Sequence, residues 1–321
     1  MRIVWVSFAP LRKTPAGLAS DLASIRYRLL IPAQALPESR VTQIAQGANR
    51  RTLLERFAGA DAAVFGKIFD PALAPIALEL AAALRANRVK VIVDFCDDHF
   101  NHPQLGPVYR AMANVADAIA VSTPGLADVV HEQTATKASV VGDPVEGARR
   151  EPSAVRQSPL RLLWFGHPVN LDTLQHGLPQ LAKRTIPFEL TLVTAPRAGA
   201  EALEHRFRPW SSDAVFDELN KCDAVIIPSN PYDPRKAVKS ANRFTEALWA
   251  GRFVIAHPLP SYEPLAPYGW VGEDLGEGLA WLIEHPDEAL ARIRAGQDWV
   301  AANVSREAIA AAWKAAIAGV P

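Results

Sequence analysis

The sequence predicts an α/β protein of two doubly wound domains in series, and three observations carry that expectation. Short β-rich runs alternate with longer Ala/Leu-rich segments from one end to the other. The short runs are apolar and bounded by turn residues, as strands covered on both faces of a parallel sheet must be. The alternation is interrupted at Gly142–Pro159, where Gly, Pro, Ser and charges show little periodicity, and it restarts at Leu160.

In the first half, strands are expected at Ile3–Val6, Val41–Ile44, Ala62–Phe65, Val89–Val93, Ala118–Val121 and Ser139–Val141. Helical patterns lie between several of them, at Pro71–Ala86, Pro107–Asn114 and Gly125–Gln133. After the linker, strands are expected at Arg161–Trp164, Phe188–Val193, Ala224–Ile227 and Phe253–Ala256. The helices of this half are Asn170–Lys183, Asp213–Lys221, Asn242–Ala250, Gly276–Glu284, Asp287–Asn303 and Arg306–Ala318, the last two rich in the strong helix former Ala. The reading is two Rossmann-like domains, 1–150 and 151–303, with 304–321 crossing back onto the first. Two such domains facing one another would form a cleft, and ligands of open parallel sheets sit outside the carboxyl ends of the strands.

Bulk properties narrow the function classes. A chain of 321 residues with 49% hydrophobic and 21% charged residues supports two packed cores. Formal net charge is zero, which argues against nucleic acid as partner. Residues 1–56 nevertheless carry nine Lys/Arg against three acids, an excess suited to an anionic acceptor, to peripheral membrane association or simply to a solvated face. Cys96 and Cys222 are far apart and form neither a disulfide framework nor a zinc site, which fits a reducing cytoplasm. No signal-peptide pattern and no long uncharged apolar stretch is found, so a cytoplasmic protein, at most at the inner face of a membrane, is expected.

The most informative segment is Lys239–Gly251. A loop entering a helix presents unpaired N–H groups and the positive end of the macrodipole, a site for a diphosphate. Ser240 is expected to cap this helix, Lys239 and Arg243 to add positive charge, and Glu246, one turn beyond Asn242, to accept both hydroxyl hydrogens of a ribose. The plainer reading is a capped amphipathic helix with Glu246 in a salt bridge.

This segment resembles the C-terminal signature of the bacterial GT-B glycosyltransferases of the family-4 type, glycosyl transferases group 1. The resemblance implies a helix start that grips the diphosphate and a Glu-x7-Glu motif whose last Glu, here Glu246, binds the ribose. The first Glu would fall at Val238, where this chain departs from the pattern. Leu162–Asn170 resembles the first strand and glycine loop of the family's nucleotide-sugar domain, with Gly166 letting backbone approach the diphosphate. The Arg and Lys common near this position are absent, and His167 and Asn170 stand in their region. Trp210-Ser211 resembles the base-binding region, Ser229–Arg235 the loop under the donor sugar, and Pro258–Leu265 a rim of the cleft.

In the first half, Ser24–Arg28 resembles an N-terminal signature of related transferases. Its two Arg point to different helix faces, so that one would reach the cleft. Asp94–Phe100 ends a buried strand, and the resemblance places a functional group at Asp97, Asp98 or His99. An Asp/Asp/His cluster also suggests a divalent metal, but adjacent residues cannot all face one centre, and no metal is expected. Gly142-Asp143-Pro144-Val145 resembles the turn before the linker.

The function these features imply is transfer of a hexose-type sugar from a UDP- or GDP-linked donor substrate, with no bound cofactor, to a hydroxyl of a glycan, lipid-linked or other acceptor in surface-polysaccharide synthesis. Lys239, Arg243 and the helix start would stabilise the departing diphosphate. The resemblance implies retention of anomeric configuration. For an inverting course Asp97, Asp98 or His99 would be the general base. A nucleotide-sugar 2-epimerase and a non-catalytic sugar-nucleotide-binding subunit are the alternatives.

Overall fold

The computed structural model describes residues 1–153, 158–183, 185–195, 205–230 and 232–319. Residues 154–157 of the expected linker and Pro231 of the expected donor loop lie outside them. The chain divides into two compact units: residues 1–144, 238–240 and 304–321 form one, and residues 145–237 and 241–303 the other.

The first unit is built on a six-stranded parallel sheet. Its strands are β1 (Ile3–Ser7), β4 (Ser39–Gln43), β5 (Ala62–Phe65), β6 (Lys90–Phe95), β7 (Ala118–Val121) and β8 (Ser139–Val140), in spatial order β4-β1-β5-β6-β7-β8. Between β1 and β4 run a hairpin, β2 (Arg12–Thr14) with β3 (Gly17–Ala19), and a helical stretch. That stretch is α1 (Ala23–Ile25), a π-helical turn over Arg26–Leu30, and α2 (Ile31–Ala35). Then come α3 (Arg50–Glu55), α4 (Ala74–Ala86), α5 (Leu105–Val115) and α6 (Pro124–Thr134). Successive residues of a strand face opposite sides, and here both sides are covered. Val4, Val6, Ala63, Phe65, Val91 and Val93 enter one core, while Ile3, Trp5, Ala62, Val64 and Ile92 enter the other. That is why these runs are apolar at every position. The second core is closed by the C-terminal helix Arg306–Ala318, whose Trp313 is fully buried and meets Trp5 edge-on at 5.0 Å.

The second unit has strands β9 (Leu160–Phe165), β10 (Phe188–Thr194), β11 (His205–Pro209), β12 (Ala224–Ile227), β13 (Phe253–Ala256) and β14 (Trp270–Val271), all parallel, in spatial order β11-β10-β9-β12-β13-β14. Its helices are α7 (Leu171–Ala182), α8 (Ser212–Leu219), α9 (Pro234–Ala237), α10 (Asn242–Trp249), α11 (Leu275–Glu284) and α12 (Pro286–Asn303). Leu160, Leu162, Trp164, Ile226, Phe253 and Ile255 pack into one cluster with Leu174, Leu178, Leu279 and Ile293 of the covering helices. The strand order reverses between β9 and β12, which is the switch point where the loops of such a sheet part to admit a ligand.

Several elements differ from the sequence expectation. The hairpin β2–β3 and the edge strand β11 were not expected, because neither carries a continuous apolar run. Arg26 donates from Nη1 to Asp21 O at 2.8 Å, whereas Arg28 turns inward and is 1% exposed. Its guanidinium bonds both oxygens of Asp94, the carbonyls of Val141 and Gly142, and Asp143 Oδ1. Arg28 is thus a tie inside the first unit between the end of β6 and the chain leaving β8. No helix among the described residues is long and apolar enough to cross a membrane.

Candidate functional site

In the second unit the loops at the switch point bring together Gly166, Asn170, Lys236 and Arg243. Gly166 follows β9 and is held by its N–H to Val193 O at 3.1 Å. A methyl group at Gly166 would lie 3.5 Å from the Trp164 ring and 3.9 Å from Arg243 Nη1, ordinary contacts that the protein itself could accommodate. The chain's own packing does not require a glycine there.

Arg243 lies in the first turn of α10 and hydrogen-bonds the buried Tyr262 hydroxyl. Its Nη1 is withdrawn from solvent yet has no hydrogen-bond partner among the described residues. Burial pulls its pKa below the ordinary guanidinium value, and the Tyr262 contact opposes this. Trp164 Nε1 and Ser261 Oγ are likewise buried without a partner among the described residues. Native proteins pair such groups almost without exception, so the unpartnered Arg243 Nη1 calls for a ligand or water.

The start of α10 corrects one expectation. The N-cap residue is Ala241, not Ser240, and it offers no side-chain cap. The N–H groups of Phe244 and Thr245 turn back to Ala241 O, while those of Asn242 and Arg243 have no partner among the described residues. The helix therefore opens with free donors and a cation on its first turn. At its other end Gly251 takes φ +72°, and a Cβ there would fall 2.4 Å from Glu151 O, so glycine is required.

Glu246 is 4% exposed and accepts the backbone N–H of Glu146 at 2.6 Å and of Gly147 at 3.5 Å. Trp249 Nε1 donates to Gly147 O at 3.0 Å, so α10 straps residues 146–147 along its flank. His167 is exposed, and its carbonyl accepts the Asn170 N–H at 2.9 Å. Ser211 is the N-cap of α8, with Oγ accepting Ala214 N–H at 3.0 Å.

In the first unit the carboxyl ends of β5 and β6 assemble a second cluster. Asp97 is gripped by Lys67 at 2.5 Å and by Lys239. Burial drives the Asp97 carboxyl up, but the two ammonium groups overcome this and hold it at about 2. His99 is pushed down to about 4 by burial and then by Lys67, so its ring stays neutral near neutral pH. It packs edge-on against Tyr109, with centroids 5.4 Å apart. Asp98 caps its own turn, Oδ1 accepting Phe100 N–H at 3.0 Å. Lys239 reaches Asp97 because Val238 is buried in the first unit's core and its carbonyl accepts the Thr123 hydroxyl at 2.8 Å. A carboxylate in place of Val238 would be buried among hydrocarbon, at a cost in desolvation. Among the described residues no group of three or more His, Cys, Asp and Glu could hold a metal ion.

Sequence reasoning missed Lys67 and Lys236, while Tyr262 fell within the expected rim Pro258–Leu265 without a role of its own. Lys67 follows the end of β5, so the rule that marked Asp97 marks it too; Lys236 lies further along, on α9. A cavity of about 720 Å3 in the second unit lies elsewhere, between β9, β10, β11 and α8. Of its lining, Arg161 pairs with Asp223, and both Arg206 and Lys221 pair with Glu218.

The sequence matches no protein-family model, and no curated protein matches it significantly. Solved structures do resemble it. A glycosyltransferase from Rickettsia africae ESF-5 superposes with TM-score 0.72 at 12% identity, over 99% of this chain and 98% of that one. HepE from Anabaena, in complex with UDP, gives 0.68 at 12% identity over 99% and 100%. Trehalose-6-phosphate synthase from E. coli, bound with UDP-2-fluoro glucose, gives 0.65 at 9% identity over 99% of each chain. At such identities the likeness is one of fold, and that fold is GT-B, two Rossmann-like domains.

Proposed function

We propose that this chain is a glycosyltransferase that takes a sugar from a nucleoside diphosphate donor and passes it to a hydroxyl of a glycan or lipid-linked acceptor, in surface-polysaccharide synthesis. The observation that carries the reading is Arg243 Nη1, buried without a partner among the described residues beside Gly166 and the uncapped start of α10. A desolvated cation and two free N–H groups beside a glycine make a receptor for a diphosphate. UDP is the first candidate, because HepE is bound to UDP and the E. coli synthase to a UDP-sugar.

In this reading Arg243 and the N–H groups of Asn242 and Arg243 take up charge as the diphosphate leaves, an electrostatic contribution of roughly 10²–10³ in rate per donor. Glu246, on α10, takes the ribose hydroxyls in this reading. Gly166, His167 and Ser211 line the donor in this reading, with Ser211 toward the base. On the acceptor side Asp97 is a poor general base, since two ammonium groups occupy its oxygens. This favours retention. An inverting course would use neutral His99. Positive charge comes from side chains and a helix start, so the reaction is metal-independent in this account.

A non-catalytic donor-binding subunit is the second reading, favoured by Val238 and by the neutralised Asp97. The test is thermal unfolding against UDP, GDP, ADP and their sugars, for the wild type and Arg243→Gln. A donor at 100 times its dissociation constant adds about 2.7 kcal/mol to the wild type and, at the same concentration, far less to the variant. Equal shifts in both, or none with any nucleotide, overturn the proposal. Release of nucleoside diphosphate with sugar transfer separates the enzyme from the binding subunit.

A further inference from the structure

His257 is a buried titratable group to which the donor site gives no part. It is the first residue past β13, and its N–H continues the strand ladder to Ile227 O at the end of β12. Two helices close around its ring. A Cβ on Gly177 of α7 would fall 2.7 Å from Pro228 Cβ and 2.8 Å from Leu275 Cδ1. That glycine therefore lets α7 lie against both the exit of β12 and the start of α11. Gln180, one turn further along α7, reaches the imidazole, with Oε1 2.8 Å from His257 Nε2.

The polarity of the Gln180 amide is fixed from outside the ring. Its Nε2 donates to Glu273 O at 3.0 Å, and its Oε1 accepts the Leu275 N–H at 3.0 Å. An oxygen thus faces His257, and Nε2 of the ring must carry a hydrogen. Nδ1 is then the atom whose proton is in play, and it has two partners on one residue. The Ser229 N–H, 3.0 Å away, suits a bare Nδ1, whereas the Ser229 carbonyl, 2.7 Å away, suits a protonated one. Burial favours the uncharged ring and is the largest influence, holding its pKa below the ordinary imidazole value; the Ser229 carbonyl opposes this. His176 of α7, with ring centroids 5.6 Å apart, also lowers it, while Glu273 and Asp274 before α11 raise it. Ser229 itself stands in the chain leaving β12, the neighbour of β9, whose following loop holds Gly166.

We propose that His257 is a positioning residue for the donor site: with Nδ1 bare it holds the Ser229 N–H and fixes the chain leaving β12, and a proton taken from solvent onto Nδ1 turns the ring to the Ser229 carbonyl and releases that N–H. The inference rests on the donor-site reading above and adds a pH control to it. Its sign follows from the neutral ring being the one that holds Ser229. Donor binding is full above the His257 pKa and weakens as pH falls through it.

The test pairs nitrogen NMR of the imidazoles with calorimetric titration of UDP-, GDP- and ADP-glucose, from about pH 8 to about pH 4.5. Sugar nucleotides serve because their diphosphates do not titrate in this window. The intact wild type is compared with His257→Leu, His257→Asn and Gln180→Glu. The wild-type ring is expected as the Nε2–H tautomer at the alkaline end, with Kd rising about 10-fold or more in step with its protonation, the scale of stranding one buried N–H. His257→Leu, which lacks an acceptor for Ser229, should bind about 10-fold more weakly even at the alkaline end. His257→Asn keeps an oxygen where Nδ1 stands, so it should restore most of that loss and abolish the acid weakening. Gln180→Glu sets a carboxylate against Nε2 and should move the acid weakening to higher pH, which a merely structural contact would not do. An Nδ1–H tautomer at the alkaline end, a wild-type Kd that does not follow the ring, or an acid weakening kept by His257→Asn or unmoved in Gln180→Glu overturns the inference and leaves the donor site standing. A wild type that binds none of the three overturns the donor-site reading itself, and this inference with it.

Discussion

At the scale of single residues, the site is defined by groups whose local needs go unmet. Gly166 is one: a Cβ would make only ordinary contacts with Trp164 and Arg243. Gly166→Ala is therefore expected to keep its thermal stability within about 0.5 kcal/mol of wild type, while nucleotide affinity falls about tenfold or more as the methyl group enters the space kept for phosphate. Paired unfolding and titration curves check this. Asp97 supplies a pH prediction with a definite sign. Its folded pKa of about 2 lies below the usual carboxylate value, so it stabilises the fold above about pH 4 and that share is lost as pH falls toward 2. Its size is of order 2 kcal/mol before screening. Asp97→Asn should flatten the acid limb of a stability–pH curve over that window. His99, held near 4, predicts no ionisation near pH 6.5 in kcat/KM if it is the acceptor-side base; an inflection there would remove it from that role.

At the scale of elements, what was legible follows from burial. Ala62–Phe65, Ala118–Val121, Ala224–Ile227 and Phe253–Ala256 fall on the residues expected, because each lies in a sheet covered on both faces and is apolar throughout. Strand β11, with the sequence His-Arg-Phe-Arg-Pro on an edge, carries no such signal, and its Phe207 is 42% exposed. The same limit applied to the site. The Lys239–Gly251 segment announced a helix start with charge, but only the structure reveals that Val238 is a core residue, that Lys239 pairs with Asp97 and that Ala241 leaves the helix uncapped. Glu246 was read as a ribose ligand, yet it also fastens residues 146–147. Glu246→Ala should therefore cost about 1–3 kcal/mol of stability by stranding those N–H groups. Glu246→Gln, which keeps one acceptor oxygen, should cost less while still weakening nucleotide binding. Denaturant unfolding of both variants tests the split. Arg28 is a purely structural counterpart. Arg28→Met strands Asp94 and Asp143 in the first unit and should destabilise it by about 3–5 kcal/mol.

At the scale of the whole molecule, the two units carry different chemistry on the same kind of sheet. The first gathers Lys67, Asp97, His99 and Lys239 at the carboxyl ends of its strands. The second gathers Gly166, Asn170, Lys236 and Arg243 at its switch point. Both placements follow the general rule for parallel sheets, which is why Asp97 and Gly166 could be singled out from sequence. Lys67 obeys the same rule, but single lysines after a strand are too common to stand out. In the proposed reading side chains and a helix start supply the positive charge, so EDTA should leave nucleotide binding and turnover unchanged. A loss of activity that is restored by a divalent cation would contradict that.

The central claim is that a nucleoside diphosphate sits at the β9–β12 switch point of the second unit. A crystal structure of the protein with UDP tests it most directly. The account predicts the diphosphate on Arg243 Nη1 and the N–H groups of Asn242 and Arg243, above Gly166, with the ribose hydroxyls toward Glu246. UDP bound elsewhere, or Arg243 Nη1 still unpartnered with the nucleotide present, would contradict it.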